Sequence, residues 1–411
     1  MQITPIKNLF RFENLALFFS TLFLFFLAYS EAIKSISLVA ILILFLYGIA
    51  TKKLFLTKDA FTISLFLFVC SSLIGTITGI SFDESSQQIS DLLKFLLVFL
   101  FYRELKISNL EINSFINILF FGFIFAFIAG TINFLGIDFS TVDLLHDSNS
   151  KQVYIKLRSL GSLNRTAIYY ILIMMISLPY FVYNYRKNNR LLMTRSNLLI
   201  LFVILASLIG IITSGSRMAI YSLPILLIIF TIIEYGLKFK LLAVIVALFS
   251  LLIILIFTFF PDTYFSGKIL KGFSDTGRLW IWEYSLRSYF DLGHYIFGIG
   301  TGDSILLDVN KYSTIFPKST LESGNINNAH NLYIDLLLEK GIAGVATLSY
   351  FFYKLLSNSF NKISSGYIQK INILIISSIL LMGLFNITFR YEFALLFAVI
   401  AGLSLNKNLT R

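Results

Sequence analysis

Three residues carry most of the chemistry that this sequence offers. Arg217 lies in TSGSRMAIYS, Arg278 opens RLWIWEYSLRS, and His330 precedes Asn331 in NNAHNLYIDLLLEKGIAG. A guanidinium group stays charged at any working pH, and its planar fork meets phosphate oxygens two at a time. An imidazole at the start of a helix feels the positive end of the helix dipole, which favours its neutral form. A neutral imidazole takes the proton of an attacking hydroxyl. Arginines beside such a histidine suit transfer at a phosphorylated centre, where fixed cations stabilise the charge on a departing phosphate.

Other residues stand near these in sequence. Arg158 and Arg165 flank GSLN, Arg287 and Gly298 bracket ten residues, and Glu283 follows Trp282. These five, with Asn331, are the expected substrate-binding set. Glu283, Asp335 and Glu339 are alternative proton acceptors, although no paired-carboxylate hydrolase motif is present. Asn331, Asp335 and Glu339 recur every fourth residue and share one helix face. GIGTG at 298–302 follows no strand, so a tight turn is expected there in preference to a dinucleotide loop. Each candidate also has a plain alternative. Arg217 can snorkel to an interface, Arg278 can be solvated on an anchoring helix, and His330 can be a cap residue. Asp91 and Lys94 are expected to neutralise each other on one helix face; Arg390 and Glu392 are expected to pair. His146, His294 and His330 lack the spacing of metal ligands, so neither metal nor cofactor is expected.

These residues must be positioned by greasy helices. The 411 residues are 57% hydrophobic and 13% charged, with 44 Phe and 5 Pro, and mean hydropathy is +0.82. A soluble chain is nearer a quarter charged. Apolar runs of about 20 residues recur along the length, each long enough to cross a hydrocarbon core as a helix. They do not alternate as barrel strands would. The class is an all-α polytopic integral membrane protein. Twelve helices are expected near 15–33, 35–50, 60–80, 90–104, 113–135, 164–184, 197–213, 217–233, 238–260, 331–356, 370–388 and 391–406. A short amphipathic interfacial helix is expected from Arg278, because tryptophan favours that depth.

The net charge of +11 sits mostly in short connections, which points to membrane topology and not to nucleic acid. Lys52, Lys53, Lys58, Arg103, Lys106, Arg186, Lys187, Arg190, Arg195, Lys238, Lys240, Lys354, Lys362 and Lys370, with Lys407 and Arg411 of the tail, fall on one side if the N-terminus is cytoplasmic. Acids are expected to be scarce on that side, and both termini are then cytoplasmic. Lys7 and Arg11 precede an uncleaved first helix. Two outer loops are long, 137–161 and 261–330, and long loops are functional more often than not. The whole chain, 1–411, forms one membrane domain without internal repeats. Cys70 is the single cysteine, which excludes an internal disulfide.

The order SGSR, GRLWIWEYS, FGIGTG, a long polar gap and AHNLYIDLLLEKGIAG resembles the O-antigen ligase/polymerase superfamily. The resemblance implies a metal-independent membrane glycosyltransferase in the bacterial inner membrane. Its large periplasmic loop lies between helices 9 and 10, and its donor is a glycan on undecaprenyl pyrophosphate. It also implies that the arginines of the SGSR-like and GRLxxW-like positions and the histidine of HN are functional. These match Arg217, Arg278 and His330. In the polymerase branch an arginine and a glycine recur about ten residues apart, which Arg287 and Gly298 fit; the earlier loop with Arg158 and Arg165 has no copy. Ligases often carry a second histidine two residues before HN, where this chain has Asn328. The expected activity is therefore O-antigen polymerase, acting on a lipid-linked repeat unit with a chain-length regulator as possible partner. The alternatives are a ligase that transfers to lipid A–core, and a flippase of lipid-linked oligosaccharide. A transporter would place charge at the midplane within its helices and would not need the long loop.

Overall fold

The computed structural model describes residues 11–135, 155–157, 160, 162–188, 191–192, 194–237, 278–302, 304, 307, 311, 314–315 and 329–406. Among these, all regular structure is helical. Twelve α-helices follow in order: α1 Phe12–Phe26, α2 Glu31–Ala50, α3 Ala60–Thr78, α4 Phe82–Glu104, α5 Asn109–Phe134, α6 Leu163–Lys187, α7 Arg195–Ser214, α8 Arg217–Tyr235, α9 Arg278–Leu292, α10 Leu332–Asn361, α11 Tyr367–Gly383 and α12 Tyr391–Ser404. Six of them, α2, α3 and α5–α8, are long and apolar enough to cross a membrane; α1, α11 and α12 are apolar but shorter. The expected helix at 238–260, most of the two long loops and Arg158 lie outside the described residues.

α6 is the axis of the bundle. Residues 166–177 are buried without interruption, the signature of a helix enclosed on every side. α7, α8, α11 and α12 pack around it. α2 shows the opposite pattern. Leu38, Ile41 and Leu44 are buried, while Ile36, Val39, Ile43 and Leu46 are exposed. An exposed face this apolar belongs against lipid.

Several boundaries differ from expectation. The first helix ends at Phe26, not near 33, because Ser30 caps α2 through a bond from Ile33 N at 3.4 Å. α4 begins at Phe82, eight residues before the expected 90. The expected helix 331–356 is two helices. Gly341 has φ 60° and ψ −170°, so α10 consists of a half-helix, 332–340, and a longer segment, 342–361.

The end of the bundle where α6, α8, α10 and α12 terminate carries paired charge. Buried Arg103 contacts Asp59 and donates to Thr62 Oγ1 at 2.7 Å. Glu234 receives Arg186 at 2.6 Å and Lys370 at 2.7 Å. The expectation that acids are scarce on this side is thus corrected. Asp59, Glu104 and Glu234 neutralise part of the basic set, because buried or crowded cations require partners.

Candidate active site

Three helix starts supply the three expected residues at the opposite end of the bundle. Arg217 is the first residue of α8. Ser216 before it does not cap that helix; its Oγ donates to Asn164 Oδ1 at 3.2 Å. That bond sets the Arg217 turn beside the start of α6, which also bears Arg165. Arg278 is the first residue of α9, whose Ile281, Tyr284, Ser285, Ser288 and Tyr289 are buried. Their i, i+3, i+4, i+7, i+8 spacing is one helix face, and it seats α9 on α10. His330 precedes α10 with φ 47°, a left-handed conformation that costs a non-glycine residue free energy and is found where neighbouring structure imposes it. The imposing structure is the next residue. Asn331 Oδ1 accepts from Tyr333 N at 2.9 Å and Ile334 N at 3.1 Å, while its Nδ2 donates to Leu384 O at 3.0 Å.

The three side chains act on one another. Burial, and then the positive charge of Arg217, hold the Arg278 pKa below its ordinary range. Burial, and then the charge of Arg278, hold the His330 pKa below its ordinary 6.5. Each effect disfavours the cationic form. The result is a neutral imidazole beside a partly desolvated guanidinium, with a second guanidinium behind it. Phosphate oxygens are the ligand that such clustered guanidinium groups suit.

A chain segment inserted into α10 fixes the distance between α9 and His330. In an unbroken helix Ile342 N would donate to Leu338 O, and Ala343 N to Glu339 O. Here Leu338 O accepts from Ile299 N at 3.0 Å and Glu339 O from Gly300 N at 3.2 Å. Ile342 N donates to Tyr295 O at 2.9 Å and Ala343 N to Ile296 O at 3.0 Å. Residues 295–300 therefore occupy two rungs of the helix ladder. Gly298, at φ 76°, lies against the Glu339 and Lys340 backbone, and a Cβ there would come within 2.3 Å of Glu339 C. The GIGTG turn is filled by protein backbone at this point.

The remaining expected residues occupy different places. Glu283 and Arg287 form an exposed pair at 2.6 Å. Arg287 is nine residues along α9 from Arg278, about 14 Å further on and half a rotation round, so this pair faces away from Arg278. The Asn331 side chain is occupied by capping and by Leu384. Arg158 lies outside the described residues. Asp335 and Glu339 share a face as their spacing implies, and both bind Arg390, at 2.9 and 2.7 Å. Arg390 therefore does not pair with Glu392, which binds Lys34 instead at 2.5 Å. Asp91 and Lys94 do pair, at 2.9 Å. The connections of Arg390 are the feature that sequence reasoning missed. Its signal was a charge between two apolar helices, which demands a partner. Among the described residues no group of three His, Cys, Asp or Glu side chains is placed to hold a metal.

Residues 201–349 match the family described as O-antigen ligase. The match places this segment in the O-antigen ligase/polymerase superfamily. It runs from α7 into the second part of α10 and contains Arg217, Arg278 and His330. No curated protein matches the chain. The ligase-like segment lies within a bundle that holds six apolar helices of membrane-spanning length, the architecture of a multi-pass membrane protein.

Proposed function

We propose that this ligase-like protein is an O-antigen polymerase working at the periplasmic face of the bacterial inner membrane. The carrying observation is that Arg217, Arg278 and His330, more than fifty residues apart from one to the next, lie within electrostatic reach of each other. Arg217 and Arg278 bind the diphosphate of an undecaprenyl-linked glycan. A hydroxyl at the non-reducing end of a second lipid-linked repeat unit attacks the anomeric carbon of the donor. The new C–O bond forms as the bond to phosphate breaks, undecaprenyl diphosphate leaves with the electron pair, and His330 takes the hydroxyl proton. Fixed guanidinium groups stabilise the leaving diphosphate without rearranging during the step. A chain-length regulator is the partner such an activity calls for.

The ligase alternative uses the same donor and the same three residues, with lipid A–core as acceptor; the family description favours it. Asn328, where ligases often have histidine, favours the polymerase. The lipopolysaccharide of a deletion strain separates them. Loss of a polymerase leaves core bearing a single repeat unit. Bare core, with glycan stranded on its lipid carrier, would overturn the polymerase in favour of the ligase, and an unchanged ladder would remove both.

A further inference from the structure

Four charged side chains meet beside the half-helix 332–340. Arg390 Nη2 donates to Asp335 Oδ2 at 2.9 Å and to Glu339 Oε2 at 2.7 Å. Lys340 Nζ stands 3.4 Å from Glu339 Oε2, and Ser304 Oγ donates to Glu339 Oε1 at 2.9 Å. Asp335, Glu339 and Lys340 are buried, and the Arg390 side chain is 15% exposed. Two acids and two bases balance formally, although burial pushes the Asp335 carboxyl up to about 7 against the pull of Arg390. Desolvating such ions is costly, so a buried cluster is a weak source of net stability. What it does supply is a fixed geometry.

That geometry converges on His330. The half-helix is tied to the α11–α12 connection at its first turn, where Asn331 Nδ2 donates to Leu384 O, and to the last turn of α11, where Tyr333 Oη donates to Leu380 O at 2.8 Å. Arg390, from the far side of the same connection, holds the next two turns. Glu339 carries the tie onward, because its carboxylate accepts from Ser304 and its carbonyl from Gly300 N. Those two residues belong to the chain that leaves α9, the helix that begins with Arg278.

We propose that Arg390 is a positioning residue for His330. Bridging Asp335 and Glu339, it keeps the half-helix seated so that the imidazole stays desolvated beside Arg278. Its catalytic meaning rests on the reading of His330 as the base; its structural meaning does not.

The test follows the His330 titration in the full-length protein in lipid nanodiscs. Carbethoxylation by diethyl pyrocarbonate across pH, read by peptide mass spectrometry, resolves His330 from His146 and His294. Among the described residues, the charge that acts on His330 is Arg278, which itself feels Arg217. Asp335→Asn is the deciding variant, because two causes predict opposite signs. Through-space loss of the partial negative charge that Asp335 keeps below its raised pKa would lower the histidine midpoint slightly. Release of the half-helix into water raises it toward 6.5. The expected result is an upward move in Asp335→Asn, and a larger one in Arg390→Gln. In glycan transfer the same Asp335→Asn change should lower kcat about tenfold with little change in donor KM, as misplacement of a reacting group does. A folded Asp335→Asn protein with an unchanged or lowered midpoint overturns the proposal, whether or not Arg390→Gln folds. An upward move in a protein that transfers no glycan upholds it and removes only the proposed function.

Discussion

At Arg278 and His330 burial and like charge push in the same direction, and this has a measurable consequence. His330 is held below 6.5, so it stays neutral at pH 7 and is ready to accept a proton. The base works in its neutral form. Activity should therefore be full above 6.5 and fall only as pH drops through the lowered histidine pKa, placing the acid limb of kcat/KM below 6.5. Arg278→Ala removes the neighbouring cation and should move that limb upward while reducing transfer about 10²–10³-fold. His330→Ala should abolish the limb altogether. A limb that stays in place in His330→Ala, or wild-type rates from either variant, would dismiss the assignment. These residues were legible in sequence because each sits in a short string of distinctive types: SGSR, GRLW and HN. Arg390 stands in an equally unusual position, in TFRYE, yet its partners lie 51 and 55 residues away. Sequence adjacency pointed to Glu392, and only the folded chain shows Arg390 reaching back to α10.

At the scale of elements the decisive feature is the interrupted α10. Hydrophobic periodicity runs through LYIDLLLEKGIAGVATL without a gap, so the pattern reads as one helix. Gly341 was the visible clue, since glycine weakens a helix interior. It did not disclose that residues 295–300 would fill the break. Local pattern cannot report a bond made by a distant segment, and that is why the insertion was not legible. Where capping residues are local, the sequence should have sufficed: Ser30 and Glu31 mark the start of α2, which the apolar run beside them obscured. The insertion can be tested at Gly298. A side chain there meets the Glu339 and Lys340 backbone and is held at φ 76°, so Gly298→Ala should cost at least about 1–3 kcal/mol from backbone strain alone. Its melting temperature in detergent should drop, and transfer should fall with it as Arg278 and His330 separate. Gly366→Ala is the control, because φ is 170° there and no atom lies within 4 Å of the added Cβ. Equal melting temperatures for the two variants would mean that the loop does not hold the break.

For the whole molecule the question is which end faces outward. The all-helical membrane class was legible from composition, since only helices or closed barrels satisfy a backbone in lipid and these runs do not alternate. Orientation rests on the basic residues, because acids contribute little to the bias. At the end away from the site, Arg103, Arg186 and Lys370 are paired with acids, yet the bias counts basic residues and not net charge, so they keep their weight. Lys52, Lys53 and Lys187 lie near helix ends there and also favour a cytoplasmic placement. On the proposed orientation the site end would face the periplasm, and α6, α8, α10 and α12 all present their N-termini at that end. The positive ends of four helix dipoles would add to the arginines in attracting a diphosphate. Cysteine labelling in whole cells tests this directly. In a Cys70→Ser background, which removes the single, exposed cysteine, Leu292→Cys reports the exposed end of α9. Lys187→Cys reports the exposed last residue of α6. A membrane-impermeant maleimide should modify Leu292→Cys in intact cells and reach Lys187→Cys only after the membrane is opened. The reverse pattern would put Arg217, Arg278 and His330 on the cytoplasmic side, away from any periplasmic glycan.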